Sequence, residues 1–176
     1  MSDLAQASLI SGGLFAIVML TQFGRRTLTF RMLLRPVLLA GGIGYYYLSD
    51  MPLKTSGEWT LYAAGLAVGL LFAAGTTLAT RIEVDATTGK VVTICGAGFV
   101  AVWVLAVAAR LAFVYSTDHI SWVRENVGTF LADHRIEQAA IAPFFVIWAL
   151  TMVVARVAAV QIGAHQARTG RRPVII

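Results

Sequence analysis

Charge is scarce in this chain, and the places where it is missing narrow the class. Only 13% of the 176 residues are Asp, Glu, Lys or Arg, about half the share found in soluble domains, so an ordinary soluble globular fold is excluded. Five long stretches contain no Asp, Glu or His. Proton-coupled pumps relay protons through such groups at membrane depth, and a membrane b-type cytochrome needs facing histidines there, so both classes lose their footing. Cysteine is reduced to a single copy, Cys95, which rules out an internal disulfide, a C-x-x-C redox pair and covalent haem attachment. The start of the chain carries Ser2 and Asp3 and no basic residue ahead of its first apolar run. A cleaved signal sequence opens on basic residues, so residues 1–23 read as a retained span.

What remains is hydrophobic. Apolar side chains make up 58% of the sequence and the mean hydropathy is +0.75, values that belong to a membrane protein. Trp59–Ala79, WTLYAAGLAVGLLFAAGTTLA, runs for 21 residues without a charge, and about 20 suffice for a helix to cross the hydrocarbon layer. Reading the other runs in the same way gives spans at Leu4–Phe23, Leu33–Leu48, Cys95–Tyr115 and Ala139–Val160. The expected fold is an all-α membrane protein, a bundle of five transmembrane helices in one domain over residues 1–176, with a basic cytoplasmic tail at 161–176.

Basic residues set the orientation. Arg25, Arg26, Arg31 and Arg35, Arg81 and Lys90, and Arg156, Arg168, Arg171 and Arg172 fall on one side, against Lys54, Arg124 and Arg135 on the other. The expectation is a multi-pass plasma-membrane protein with its N-terminus outside and its C-terminus in the cytoplasm. Tyr45, Tyr46, Tyr47, Trp59, Tyr62, Tyr115 and Trp122 gather at the outer interface, where amphipathic rings are favoured. The net charge of +5 is concentrated at span ends, so anionic lipid headgroups, met by Arg25, Arg26, Arg31 and Arg35, are the expected partner rather than nucleic acid.

Two connections carry structure. RIEVDATTGKVVTI, residues 81–94, alternates charged and β-branched residues around Thr-Thr-Gly and predicts a short cytoplasmic β-hairpin. An isolated hairpin is marginal in water, so it should lean on the bundle or the headgroups. In His119–Glu137, the spacing of Ile120, Val123, Val127, Phe130 and Leu131 predicts an amphipathic helix in the outer interface, capped by Ser116, Thr117 or Asp118. Inside the membrane, Gly65, Gly69 and Ala73 recur every four residues. Small side chains let backbones approach closely where hydrophobicity gives no drive. The stripe serves helix packing within the chain or a homodimer seam, and a five-helix bundle needs the former.

Candidate chemistry is sparse. Arg110 and Arg156 are charged residues within spans, and an intramembrane charge marks a functional site by default. Both lie close enough to a span end to snorkel outward, and they fall in opposite leaflets, too far apart to clamp one small anion. Asp118-His119 and Asp133-His134 with Glu137 match no metal-ligand spacing. Gly89-Lys90 lacks the remainder of a phosphate loop, since Val84 and Val91 stand where Gly and Ser or Thr are required. No serine or threonine stands in a nucleophile elbow. Cys95 reads as a small apolar packing residue. No catalytic residue, cofactor or metal is expected.

On the residues RRTLTFRMLLRPVLLAGGIGYYYL, TRIEVDATTGK, AARLAFVY around Arg110, and Arg156 in the last span, the chain resembles the CcdC-like family of small bacterial membrane proteins over about Leu14–Gln161. The resemblance implies a bacterial plasma-membrane protein of about five spans, associated by name with cytochrome c biogenesis, and supplies no active site. The function expected is non-enzymatic, an accessory subunit that binds a membrane protein partner or a second copy. The alternative is a small transporter or lipid-binding protein that uses Arg110 or Arg156 for an anionic group.

Overall fold

A computed structural model describes residues 51–85 and 89–169 continuously, with 24–27 and the scattered positions 13, 37, 38, 41, 42, 44–46, 48 and 49. The first expected span, Leu4–Phe23, and most of the second, Leu33–Leu48, lie outside the described residues, as do Arg31 and Arg35. Within them the chain forms helices α1 (Ser56–Leu78), α2 (Ala97–His119), α3 (Ser121–Asp133) and α4 (Ile141–Arg168), with a single 3-10 turn at Gln138–Ala140 before α4. Strands β1 (Gly24–Thr27), β2 (Thr80–Val84) and β3 (Val91–Cys95) make one antiparallel sheet in the order β1-β3-β2. Three described segments, Ser56–Leu78, Ala97–His119 and Gln138–Ala167, are long and apolar enough to cross a membrane. The molecule is a mostly helical, multi-pass membrane protein.

α1 begins where the backbone is capped rather than where hydropathy rises. Thr55 Oγ1 accepts from the Glu58 amide at 3.3 Å, and Glu58 Oε2 accepts in return from the amides of Thr55 at 3.1 Å and Lys54 at 2.7 Å. This reciprocal box satisfies donors that the first turn of a helix cannot pair internally. Glu58 is fully enclosed there, beside a small cluster of Tyr62, Ile136 and Ala140. Tyr62 is anchored by its hydroxyl, which donates to the Pro52 carbonyl at 2.9 Å. Just outside, Lys54 Nζ bonds Glu137 Oε1 at 2.9 Å. That hydrogen bond, then the charge of Glu137, holds the Lys54 ammonium above the usual lysine range.

α1 and α4 form the central seam. A methyl on Gly65 would sit 2.9 Å from the Phe144 carbonyl oxygen, and one on Gly69 would sit 2.6 Å from that of Trp148. The two backbones meet along this line, and Ala73 is buried farther along the same stripe. Phe72 stacks at a tilt on Trp148, with ring centroids 5.1 Å apart. On another side of α4, Leu150 packs against Gly44.

The sheet differs from the expected hairpin. β2 and β3 form it as anticipated, but β1 adds a third strand, pairing Arg25 with Ile94 and Arg26 with Thr93. A third strand supplies pairing that two strands alone lack. Ile82 also reaches Gly163 on α4, so the sheet is fixed to the bundle. α4 extends beyond Val160 to Arg168, making helix of the first half of the expected tail. Span four starts later than expected, because Cys95 ends β3 and α2 opens at Ala97.

α3 is the short helix anticipated between the last two spans. Val123, Val127 and Leu131 are half-buried, whereas Trp122 and Phe130 are exposed. Ser116, Thr117 and Asp118 do not cap it: α2 runs through them to His119, and the capping position falls to Ile120. Thr117 Oγ1 instead donates back to the carbonyls of Phe113 and Val114. At the other end, Arg135 adopts a left-handed backbone with φ +53°. This lets the Ile136 amide reach the Leu131 carbonyl at 2.8 Å and close the helix.

Candidate functional site

The two intramembrane arginines occupy different settings on the α2–α4 side of the bundle. Between them lies a core of Phe99, Trp103 and Met152, with Cys95 at one end.

Arg156 does not snorkel outward. It is 6% exposed, its Nη2 donates to Cys95 Sγ at 3.3 Å, and its guanidinium lies over the Phe99 ring, 4.3 Å from the centroid. Cys95 closes β3 and Phe99 opens α2, so Arg156 ties the last span to the junction of sheet and bundle. Thr80, paired with Cys95 across the sheet, extends the chain of contacts. Its hydroxyl lies 3.7 Å from Cys95 Sγ and donates to the Thr76 carbonyl at 2.7 Å. Since that carbonyl takes the one hydroxyl proton, Cys95 is the donor toward Thr80 while accepting from Arg156. Cys95 therefore does pack in an apolar cluster, as its type suggests, but it is also the sulfur acceptor of a buried cation. Arg156 Nε finds no hydrogen-bond partner among the described residues.

Arg110 is half-buried, with its guanidinium 5.6 Å from the centroid of Phe145 at the opposite end of α4. It lies at the edge of a cleft of about 60 Å³ between α2 and α4, walled by Trp103, Ala106, Phe145, Trp148 and Met152. Phe113 and Trp148 flank Phe145, with centroids at 5.4 and 5.8 Å, and pack its ring in place. Trp103 is 8% exposed, and its indole Nε1 has no acceptor among the described residues.

The remaining expected residues separate from these two settings. Gly65, Gly69 and Ala73 line the α1–α4 seam. Arg25 and Arg26 lie in β1, where their backbone register is fixed. His119 and His134 each turn Nδ1 to the carbonyl four residues earlier. No group of three metal-binding side chains occurs among the described residues.

Two features escaped the sequence reading. The capping box was available in Thr55-x-x-Glu58 immediately before an apolar run, but the hydropathy boundary at Trp59 passed over it. The Arg156–Cys95 contact joins residues 61 positions apart, and no local pattern encodes it. No family model, curated protein or solved structure matches this chain.

Proposed function

We propose that the chain is a non-enzymatic accessory protein of a bacterial plasma membrane that acts by binding a membrane protein partner or a second copy of itself. The observation that carries this reading is where the reactive side chains turn. Thr60, Thr76, Thr77, Thr80, Thr117 and Thr129 donate to carbonyls three or four residues earlier, and His119 and His134 fold back in the same way. Groups suited to nucleophilic or acid–base work are thus engaged by their own helices, which favours a scaffold over a catalyst. α2 offers the surface. Phe99 and Trp103 are its buried residues, and Val104, Leu105 and Tyr115 stand exposed. If the resemblance to the CcdC-like family holds, the role proposed here belongs near cytochrome c biogenesis. The orientation proposed with it puts the N-terminus outside and the sheet and C-terminus in the cytoplasm.

The test is photo-crosslinking from Leu105 in intact membranes, followed by mass spectrometry. The reading expects one discrete adduct with another membrane protein or with a second copy. A chain that stays a solitary monomer and yields lipid adducts alone would reject it.

A further inference from the structure

We propose that the amino end of α2, with Arg156 beside it, binds a phosphate group at the sheet end of the bundle. The claim does not depend on the function proposed above.

Two independent observations meet there. The first is the start of α2. The opening amides of a helix have no partner within it and carry the positive end of its dipole. No side chain among the described residues caps them in α2, where the capping position is Gly96. Gly96, Ala97 and Gly98 are exposed. A methyl added to Gly96 would meet nothing within 4 Å, and one on Gly98 would meet only the Ala79 Cβ at 3.5 Å. The backbone of this turn is therefore open to close approach, the condition under which helix starts hold phosphates.

The second observation is Arg156, a buried cation at the same place. Its Nη2 donates to Cys95 Sγ and its guanidinium covers the Phe99 ring, so residues on either side of the open turn bracket it. No carboxylate among the described residues pairs with it, and its Nε has no hydrogen-bond partner among them. A buried charge needs a counter-charge, and a thiol and a ring supply none. Amides and guanidinium together require an anion rich in acceptors. A carboxylate has two oxygens in one plane, whereas a phosphate has a tetrahedral set that can meet backbone amides and a guanidinium at once. A lipid headgroup and free phosphate share this chemistry, and the test separates them.

The full chain is purified in an uncharged detergent and washed until no lipid phosphorus remains. Its thermal midpoint is followed at constant ionic strength as chloride is exchanged for inorganic phosphate. In a parallel series, phosphatidic acid or phosphatidylcholine is added to the micelles. The proposal expects a saturable rise in midpoint, the mark of a ligand that binds the folded state. A rise with inorganic phosphate marks a site for soluble phosphates, and a rise with phosphatidic acid alone marks a headgroup site. The backbone at Gly96, φ −97° and ψ −164°, suits a capping side chain. Gly96→Asp should thus let a carboxylate occupy the amides, abolishing the rise while leaving the phosphate-free midpoint level or higher. Arg156→Met should weaken binding about tenfold, the scale of a lost charge-assisted bond, and Arg156→Lys should keep part of it. If Arg156→Met fails to fold by circular dichroism, Gly96→Asp and Arg156→Lys still decide. No rise with either phosphate source, an equal rise with phosphatidylcholine, or a rise unchanged in these variants overturns the proposal.

Discussion

A guanidinium held at 6% exposure must be stabilised by what touches it, because hydration is lost and an isolated buried charge is expensive. Around Arg156 the described contacts are a thiol and an aromatic face, a soft and polarisable environment. The consequence is an asymmetry between the two partners. Cys95→Ala removes the acceptor and leaves the cation, and should cost about 1–3 kcal/mol, whereas Cys95→Ser keeps an acceptor and should cost less. Arg156→Met removes the cation together with its requirement and should be near neutral, as is common when a buried charge gives way to an apolar side chain of similar size. In the Arg156→Met background, Cys95→Ala should lose most of its penalty. A double-mutant cycle of chemical unfolding in one detergent measures this coupling directly. Both residues were visible in the sequence, one as an intramembrane charge and the other as the lone cysteine. Their meeting was not, because it depends on β3 ending beside the last span.

At the scale of elements, small residues have opposite meanings according to what faces them. The stripe of Gly65, Gly69 and Ala73 was legible because membrane helices associate through close backbone contact, and it lies on the α1–α4 seam. A methyl at Gly69 meets a backbone carbonyl at 2.6 Å and the Thr151 Cβ at 2.7 Å, neither of which can move without parting the helices. Gly69→Ala should therefore destabilise by about 1–3 kcal/mol. Gly128 stands inside α3 with nothing within 4 Å of an added methyl. Gly128→Ala should stabilise by about 1 kcal/mol through helix propensity alone. Thermal unfolding of both variants in the same detergent separates the two signs. β1 is the contrasting case for legibility. Gly-Arg-Arg-Thr has neither alternation nor a neighbouring turn to mark a strand, and it becomes one only by pairing with β3, which lies 64 residues or more farther along the sequence.

For the whole molecule, the order of elements fixes a topology. α1 ends where β2 begins, α2 begins where β3 ends, and α4 returns from the Ile136 cluster to the sheet. Lys54 and Gly128 therefore lie at one end of the three described spans and Lys90 at the other. In a Cys95→Ser background, membrane-impermeant maleimide on intact right-side-out vesicles should label Lys54→Cys and Gly128→Cys, and Lys90→Cys only after permeabilisation. Labelling of all three from one side would contradict the proposed crossing pattern. Hydropathy sufficed to find these spans because their length is imposed by the bilayer. The helix ends moved by a few residues because caps and strand pairing, which hydropathy does not register, decide where each helix stops.

The length of α4 has a mechanical corollary. Its 28 residues make a rod of about 42 Å, while the hydrocarbon slab is about 30 Å thick. The surplus reaches the level of Gly163, where Ile82 clips the sheet to it. A rod longer than its slab leans when the slab thins, and whatever is clipped to the protruding tip swings with it. The sheet is thus mounted like the pointer of a thickness gauge.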